Sequence, residues 1–112
     1  MKQIKAVIRP EKLQDVLDAL AKVGYNGITV TEIEGHGTQK GITHQWRGEK
    51  YTLDLIPKKM LDIVVRDSAV ETIKKAIIDA ARVGEVGDGK IFVYNVEEVI
   101  RIRTGETDED AL

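Results

Sequence analysis

The chain contains no cysteine. Disulfide staples and thiolate metal sites are therefore excluded. Aromatic residues are scarce, with one Trp, three Tyr and one Phe. A base-stacking surface for nucleic acid needs more than that. The formal net charge is only −2, so no general electrostatic pull on nucleic acid is expected. No apolar run approaches the ~18 residues of a membrane span. Met1-Lys2-Gln3-Ile4 carries no signal-peptide pattern, and a cytoplasmic protein is the expectation. What is present is 112 residues, 42% hydrophobic and 32% charged. That composition suits one globular domain over 1–112, large enough to bury a core without staples.

Periodicity organises the chain. Lys2 to Arg9 alternates, with Ile4, Ala6 and Ile8 on one side, and reads as a strand. Pro10 suits the first turn of a helix. Leu13, Val16, Leu17, Leu20 and Val23 follow at helical spacing, and Gly24 is a stop. Ile28 to Glu34 predicts a second strand and Met60 to Arg66 a third. Ser68-Ala69-Val70-Glu71 has the spacing of a capping box. It opens a helix whose inward stripe is Ile73, Ala76, Ile77, Ala80 and Ala81. Ile91 to Val96 predicts a fourth strand and Val99 to Arg103 a short fifth. Thr104 to Leu112 is acidic and polar and reads as a mobile tail.

The order βαββαβ predicts an α+β, ferredoxin-like fold: one antiparallel sheet with both helices on one face. The other face then lacks a cover. Val7, Val64 and Tyr94 fall on that side, and apolar residues there point to burial in an oligomer. The connection from Gly35 to about Leu55 is far longer than a compact hairpin turn. It carries glycines at 35, 37 and 41, then Trp46, Arg47 and Tyr51. Aromatics with arginine are common interface anchors.

Residues 84–90, Gly-Glu-Val-Gly-Asp-Gly-Lys, are the densest chemical signal. Glycines let backbone N–H groups turn inward as a nest for anions, and Lys90 adds a point charge. The segment imitates part of a Walker A spacing, but Ile91 stands where Ser or Thr should hold magnesium, and a strand follows instead of a helix. A P-loop NTPase is disfavoured. A different phosphate-binding loop and a plain glycine-rich turn both remain open. Arg101 and Arg103 alternate with isoleucines. On a strand their guanidiniums would share a face about 7 Å apart, a spacing able to grip adjacent phosphates or simply to face solvent. Lys58 and Lys59 stand at the foot of the long loop. His36 and His44 have poor spacing for a metal site. No catalytic constellation emerges, so an enzyme is disfavoured.

These residues together resemble the PII nitrogen-regulatory signal proteins over nearly the whole chain. The most specific blocks are Gly87-Asp88-Gly89-Lys90-Ile91-Phe92-Val93 and Val96-Glu97-Glu98-Val99-Ile100-Arg101-Ile102-Arg103-Thr104-Gly105-Glu106. Further blocks are Ile8-Arg9-Pro10, Gly27 to Thr31, Lys40-Gly41, Arg47-Gly48 and Ile56-Pro57-Lys58. The resemblance implies a homotrimer with ATP or ADP in clefts between subunits. Phosphate contacts would fall on Gly87, Asp88, Gly89 and Lys90, with Arg101 and Arg103 supplied by the adjacent subunit. Thr29, Asp62 and Val64 would serve the adenine side. Mg2+ and 2-oxoglutarate would join ATP. Gln39 would help hold the metal, Lys58 would pair with the effector's carboxylate, and Gly37, Gln39, Lys40 and Gly41 would line that site. The long segment would be the family's T-loop. Arg47 and Tyr51 would meet a target such as an ammonium transporter or glutamine synthetase, so that any membrane contact is indirect. Tyr51 aligns with a tyrosine nucleotidylated in some members. Asp62 replaces the usual Glu, Thr38 stands where many members carry Arg, and Val83 where the family has Thr or Ser. The rival readings are an amino-acid-sensing domain of the same topology that does not use ATP, an RNA-binding module and a small ATP hydrolase.

Overall fold

The computed structural model describes residues 1–36, 43–46, 49–52 and 55–112, and side chains outside 37–54. β1 (Lys2–Ile8) leads through a 3-10 turn at Pro10–Lys12 into α1 (Leu13–Lys22). β2 (Thr29–His36), a hairpin of β3 (Thr43–Trp46) and β4 (Glu49–Thr52), and β5 (Leu55–Val65) follow. A second 3-10 turn at Asp67–Ala69 opens α2 (Val70–Ala81), and β6 (Lys90–Asn95) completes the sheet. Four strands pair antiparallel in the order β2-β5-β1-β6. This is the ferredoxin-like arrangement, with β3 and β4 inserted as a separate two-stranded pair.

Strand alternation decides which residues are buried. Ile4, Ala6 and Ile8 of β1 pair with Ile63, Leu61 and Lys59 of β5. The apolar members of these pairs are buried with Val16 and Leu20 of α1 and Ile73, Ile77 and Ala81 of α2. Ala76 and Ala80 pack at the edge of this core. Burying each Leu or Ile stabilises the fold by about 1.5–3 kcal/mol. Gly24 has φ +93° and ends α1 in the left-handed geometry that a residue without Cβ adopts at no steric cost.

The opposite face is mixed. Gln3, Lys5 and Val7 alternate outward on β1, beside Met60, Asp62 and Val64 of β5 and Lys90, Phe92 and Tyr94 of β6. Gln3 donates to Asp62 at 2.9 Å, and the Lys5 ammonium lies 5.4 Å from the Tyr94 ring centre. Val7, Val64 and Tyr94 thus stand on the face without helices, as the alternation predicts.

Three expectations are corrected. The Ser68 capping box does not form: α2 starts at Val70, and neither turn at this end has a side-chain cap. Ser68 lies inside the 3-10 turn that leads into the helix, one position ahead of the N-cap residue Ala69, while Asp67 binds the N-terminal amine at 2.9 Å. Val99–Arg103 is not a strand. Among the described residues it forms one bridge, Ile100 with Thr107, because the chain reverses at once: Arg101 N–H donates to Glu106 C=O and Gly105 N–H to Arg101 C=O. The alternation that would align Arg101 with Arg103 is therefore absent. Finally, the long connection is shorter than 35–55. Gly35 and His36 pair with Ile56 and Leu55, so β2 and β5 run beyond the body of the sheet. Pro57 is compatible with a strand there because β1 pairs with β5 only from Lys59 onward, leaving that stretch with one neighbour. The segment 104–112, expected as a mobile tail, includes a 3-10 turn at Asp108–Ala111.

Candidate functional site

The glycine-rich loop connects α2 to β6 and lies against the end of β1. Gly84, Gly87 and Gly89 have φ of +86°, +101° and +105°, where a side chain is strained. Gly89 is constrained twice, since a Cβ there would fall 1.8 Å from the Val7 carbonyl oxygen. Only glycine brings the loop this close to β1.

Charged side chains hold the loop in shape. The Asp88 carboxylate accepts the N–H groups of Val83 at 3.1 Å and Gly84 at 2.9 Å, and pairs with Arg9. Desolvation pushes the Asp88 pKa up, but those N–H groups and the Arg9 guanidinium outweigh it and hold the carboxyl below its ordinary value. Arg9 also donates to the Val86 carbonyl at 2.9 Å. Lys58 reaches from β5 and donates to the Gly87 carbonyl at 2.6 Å. Burial, reinforced by Arg9, lowers the Lys58 pKa against the opposing pull of Glu11 and Asp88.

Beneath the loop, on the face without helices, is a cavity of about 380 Å³. That volume lies within the range of small-ligand sites. Val7, Ile56 and Phe92 form its apolar wall, while Gly87, Gly89, Lys58 and Lys90 line the side toward the loop. Two ammonium groups and close-approach glycines are chemistry for an oxyanion, and the apolar wall suits the uncharged part of the same ligand.

Four expected site residues, Gly87, Gly89, Lys90 and Lys58, therefore line one cavity. Asp88 is next to them but turns its carboxylate to Arg9 and to its own loop. Thr29 and Asp62 are directly opposed across β2 and β5, on the same sheet face as the cavity. Val64 lines a separate depression with Tyr25 and Leu112. Arg101 donates to Glu106 at 2.6 Å, and neither it nor Arg103 lines the cavity within one chain. Gly37, Gln39, Lys40, Gly41 and Arg47 lie outside the described residues, and of Tyr51 only the backbone pairing with His44 is described. Sequence reasoning gave Arg9 no role of its own, and missed the walls Ile56 and Phe92. Arg9 precedes Pro10 at the end of a strand, which signals its backbone geometry but not its partner 79 positions away.

Fold and site together define a small ferredoxin-like protein built around a cleft under a glycine-rich loop. The family model described as nitrogen regulatory protein P-II matches residues 1–106. The chain is 54% identical over 112 residues to the nitrogen regulatory protein P-II of Pasteurella multocida, covering all of both chains. It is likewise 54% identical to P-II 1 of Escherichia coli K12, again over the full length of both. To P-II 2 of Methanothermobacter thermautotrophicus it is 51% identical, over the whole of this chain and 97% of that one. The chain belongs to the nitrogen regulatory protein P-II family, whose named members here are regulatory proteins. Among the described residues no helix is long and apolar enough to cross a membrane.

Proposed function

We propose that the protein is a cytoplasmic nitrogen-status sensor that binds ATP or ADP in the cleft under the glycine-rich loop. With Mg-ATP bound, it takes up 2-oxoglutarate. The observation that carries this reading is the convergence of Gly87, Gly89, Lys90 and Lys58 on one cavity of about 380 Å³. Gly87, Gly89 and Lys90 receive the phosphates. Lys58 exchanges its bond to the neutral Gly87 carbonyl for one to the effector's carboxylate, where donor and acceptor carry opposite charges. Gln39 contributes to the magnesium shell, with the remaining ligands from phosphate and water.

The active form is a homotrimer in which Arg101 and Arg103 of a neighbouring copy complete each nucleotide site. The open sheet face supports this: Phe92 and Tyr94 are 41% and 45% exposed there, and Ile102 is 99% exposed on the reversing C-terminal segment. Effector binding at the base of the long loop biases its conformation, and Arg47 and Tyr51 then engage or release a target such as an ammonium transporter or glutamine synthetase. The output is a switch and not turnover.

Calorimetry tests the reading. Mg-ATP is titrated first, then 2-oxoglutarate into ATP-saturated and into nucleotide-free protein. Binding of 2-oxoglutarate only when Mg-ATP is present is the expected result. ATP binding without 2-oxoglutarate binding would leave an ATP/ADP energy sensor. No ATP binding would overturn the proposal in favour of an amino-acid-sensing domain of the same topology.

A further inference from the structure

We propose that Arg9 is a positioning residue for the phosphate seat, acting through the shape of the glycine-rich loop without touching the ligand. This rests on the reading of that loop as the nucleotide phosphate site. Arg9 follows β1 with φ −63° and ψ 141°, the extended geometry that a following proline enforces. Its backbone is thus fixed before its side chain makes any contact. The side chain is only 11% exposed, unusually low for arginine.

The two arms of the guanidinium hold two points of the loop. Nη1 pairs with the Asp88 carboxylate, and Nη2 donates to the Val86 carbonyl at 2.9 Å. Asp88 in turn takes the N–H groups of Val83 and Gly84. One side chain therefore ties the start of the loop, through Asp88, to its middle at Val86. Gly87 lies between the two anchors, and a Cβ on it would come 3.2 Å from Nη2. The Val86–Gly87 peptide is trans. Its N–H consequently points opposite to the carbonyl that Arg9 holds. Fixing that carbonyl fixes the direction of the Gly87 N–H, a group suited to meet a phosphate.

Arg9 itself does not line the cavity, whereas Lys58 does. That difference separates a positioning role from a binding one. The geometry also demands arginine: two donors must diverge from one planar group, and a lysine ammonium is a single point on a flexible stem. The preformed loop then binds phosphate without first being ordered.

The test compares wild type with Arg9→Lys, Arg9→Gln, Asp88→Asn and the Arg9→Gln/Asp88→Asn double variant. Affinities for AMP, ADP and Mg-ATP are measured by calorimetry, and thermal midpoints are recorded for each protein. Arg9→Lys, which keeps the charge, should lose about tenfold in Mg-ATP affinity, the scale of one charge-assisted hydrogen bond, with a midpoint near wild type. The loss should grow from AMP to ATP because the loop seats phosphates. The double variant should bind no worse than the weaker single variant, since the two residues act as one unit. If Arg9→Gln fails to fold, Arg9→Lys and Asp88→Asn still carry the comparison. Wild-type affinity in Arg9→Lys, an equal loss for all three nucleotides, or additive losses in the double variant would each overturn the proposal. Failure of the wild type itself to bind nucleotide would defeat the ligand reading, and this proposal with it. An unaffected Arg9→Lys beside a wild type that binds would defeat this proposal alone.

Discussion

The two faces of the sheet are built from alternate residues of the same strands and have opposite characters. On the helix side, Ile4, Ala6, Leu61 and Val65 are at most 2% exposed, against Val16, Leu20 and Ile73 at 0%. On the open side, Lys5, Asp62 and Tyr94 share the face with Val7, Phe92, Lys58 and Lys90, and the last four line the cleft. The first face is selected for burial, and nothing on it can meet a ligand. The second keeps charge and apolar surface together, which costs a monomer stability but suits a small ligand and a second copy of the chain. Folding and recognition are therefore separated by the pleat, one residue apart.

The comparison predicts different phenotypes for substitutions on the two faces. Ile73→Ala should cost about 2–5 kcal/mol in urea unfolding, since its side chain is fully buried and a cavity would remain. Nucleotide affinity of the folded fraction should stay within about twofold, as expected for distant, independent sites. A collapse of affinity there would break the separation. Gly89→Ala should affect both properties. A positive φ costs about 1–3 kcal/mol for a residue with Cβ, and the 1.8 Å approach to Val7 O adds a backbone clash. Reduced stability with unchanged ATP affinity would remove the loop from the site.

Lys58→Ala should do the reverse of Ile73→Ala. Stability should change by only about 1 kcal/mol, the net worth of one hydrogen bond, while 2-oxoglutarate affinity falls by about tenfold or more. The depressed pKa of Lys58 gives a companion signal. A carboxylate partner should raise it back toward 10.5. Effector binding at a pH just below 10.5 should therefore take up a proton, detectable in buffers of different ionisation enthalpy. No uptake would mean that Lys58 does not meet the effector.

The smallest effect concerns acid. The Asp88 carboxyl is held below 3.8 in the folded chain. It binds protons more readily when unfolded, so its contribution is present above about pH 3.8 and is lost as pH falls through the lower folded value. Asp88→Asn should flatten the acid limb of the stability profile in that window. An unchanged acid limb would show that the loop clamp adds nothing to folding.

Local pattern made much of this architecture legible. The spacing of Val16, Leu20, Ile73 and Ile77 identified both helix faces, and strict alternation assigned Ile4, Ala6 and Ile8 to the core. The glycine loop was visible because Gly87 and Gly89 adjoin Lys90 just before a strand. What sequence hid was tertiary. Nothing local indicates that Arg9 meets Asp88, or that Lys58 reaches the Gly87 carbonyl 29 positions away. Ser68 matched a cap by spacing, yet the 3-10 turn moved the helix start beyond it. Arg101 and Arg103 alternate as a strand would, but the Gly105 reversal at φ +72° intervenes.

Amide hydrogen exchange with and without Mg-ATP tests the division between the faces most directly. Added protection should concentrate in residues 84–90 and in the ends of β1 and β5 around Val7 and Lys58, with α1 and the first turns of α2 unchanged. Protection spread along the helices, with residues 84–90 exchanging as before, would contradict the assignment of ligand binding to the open face.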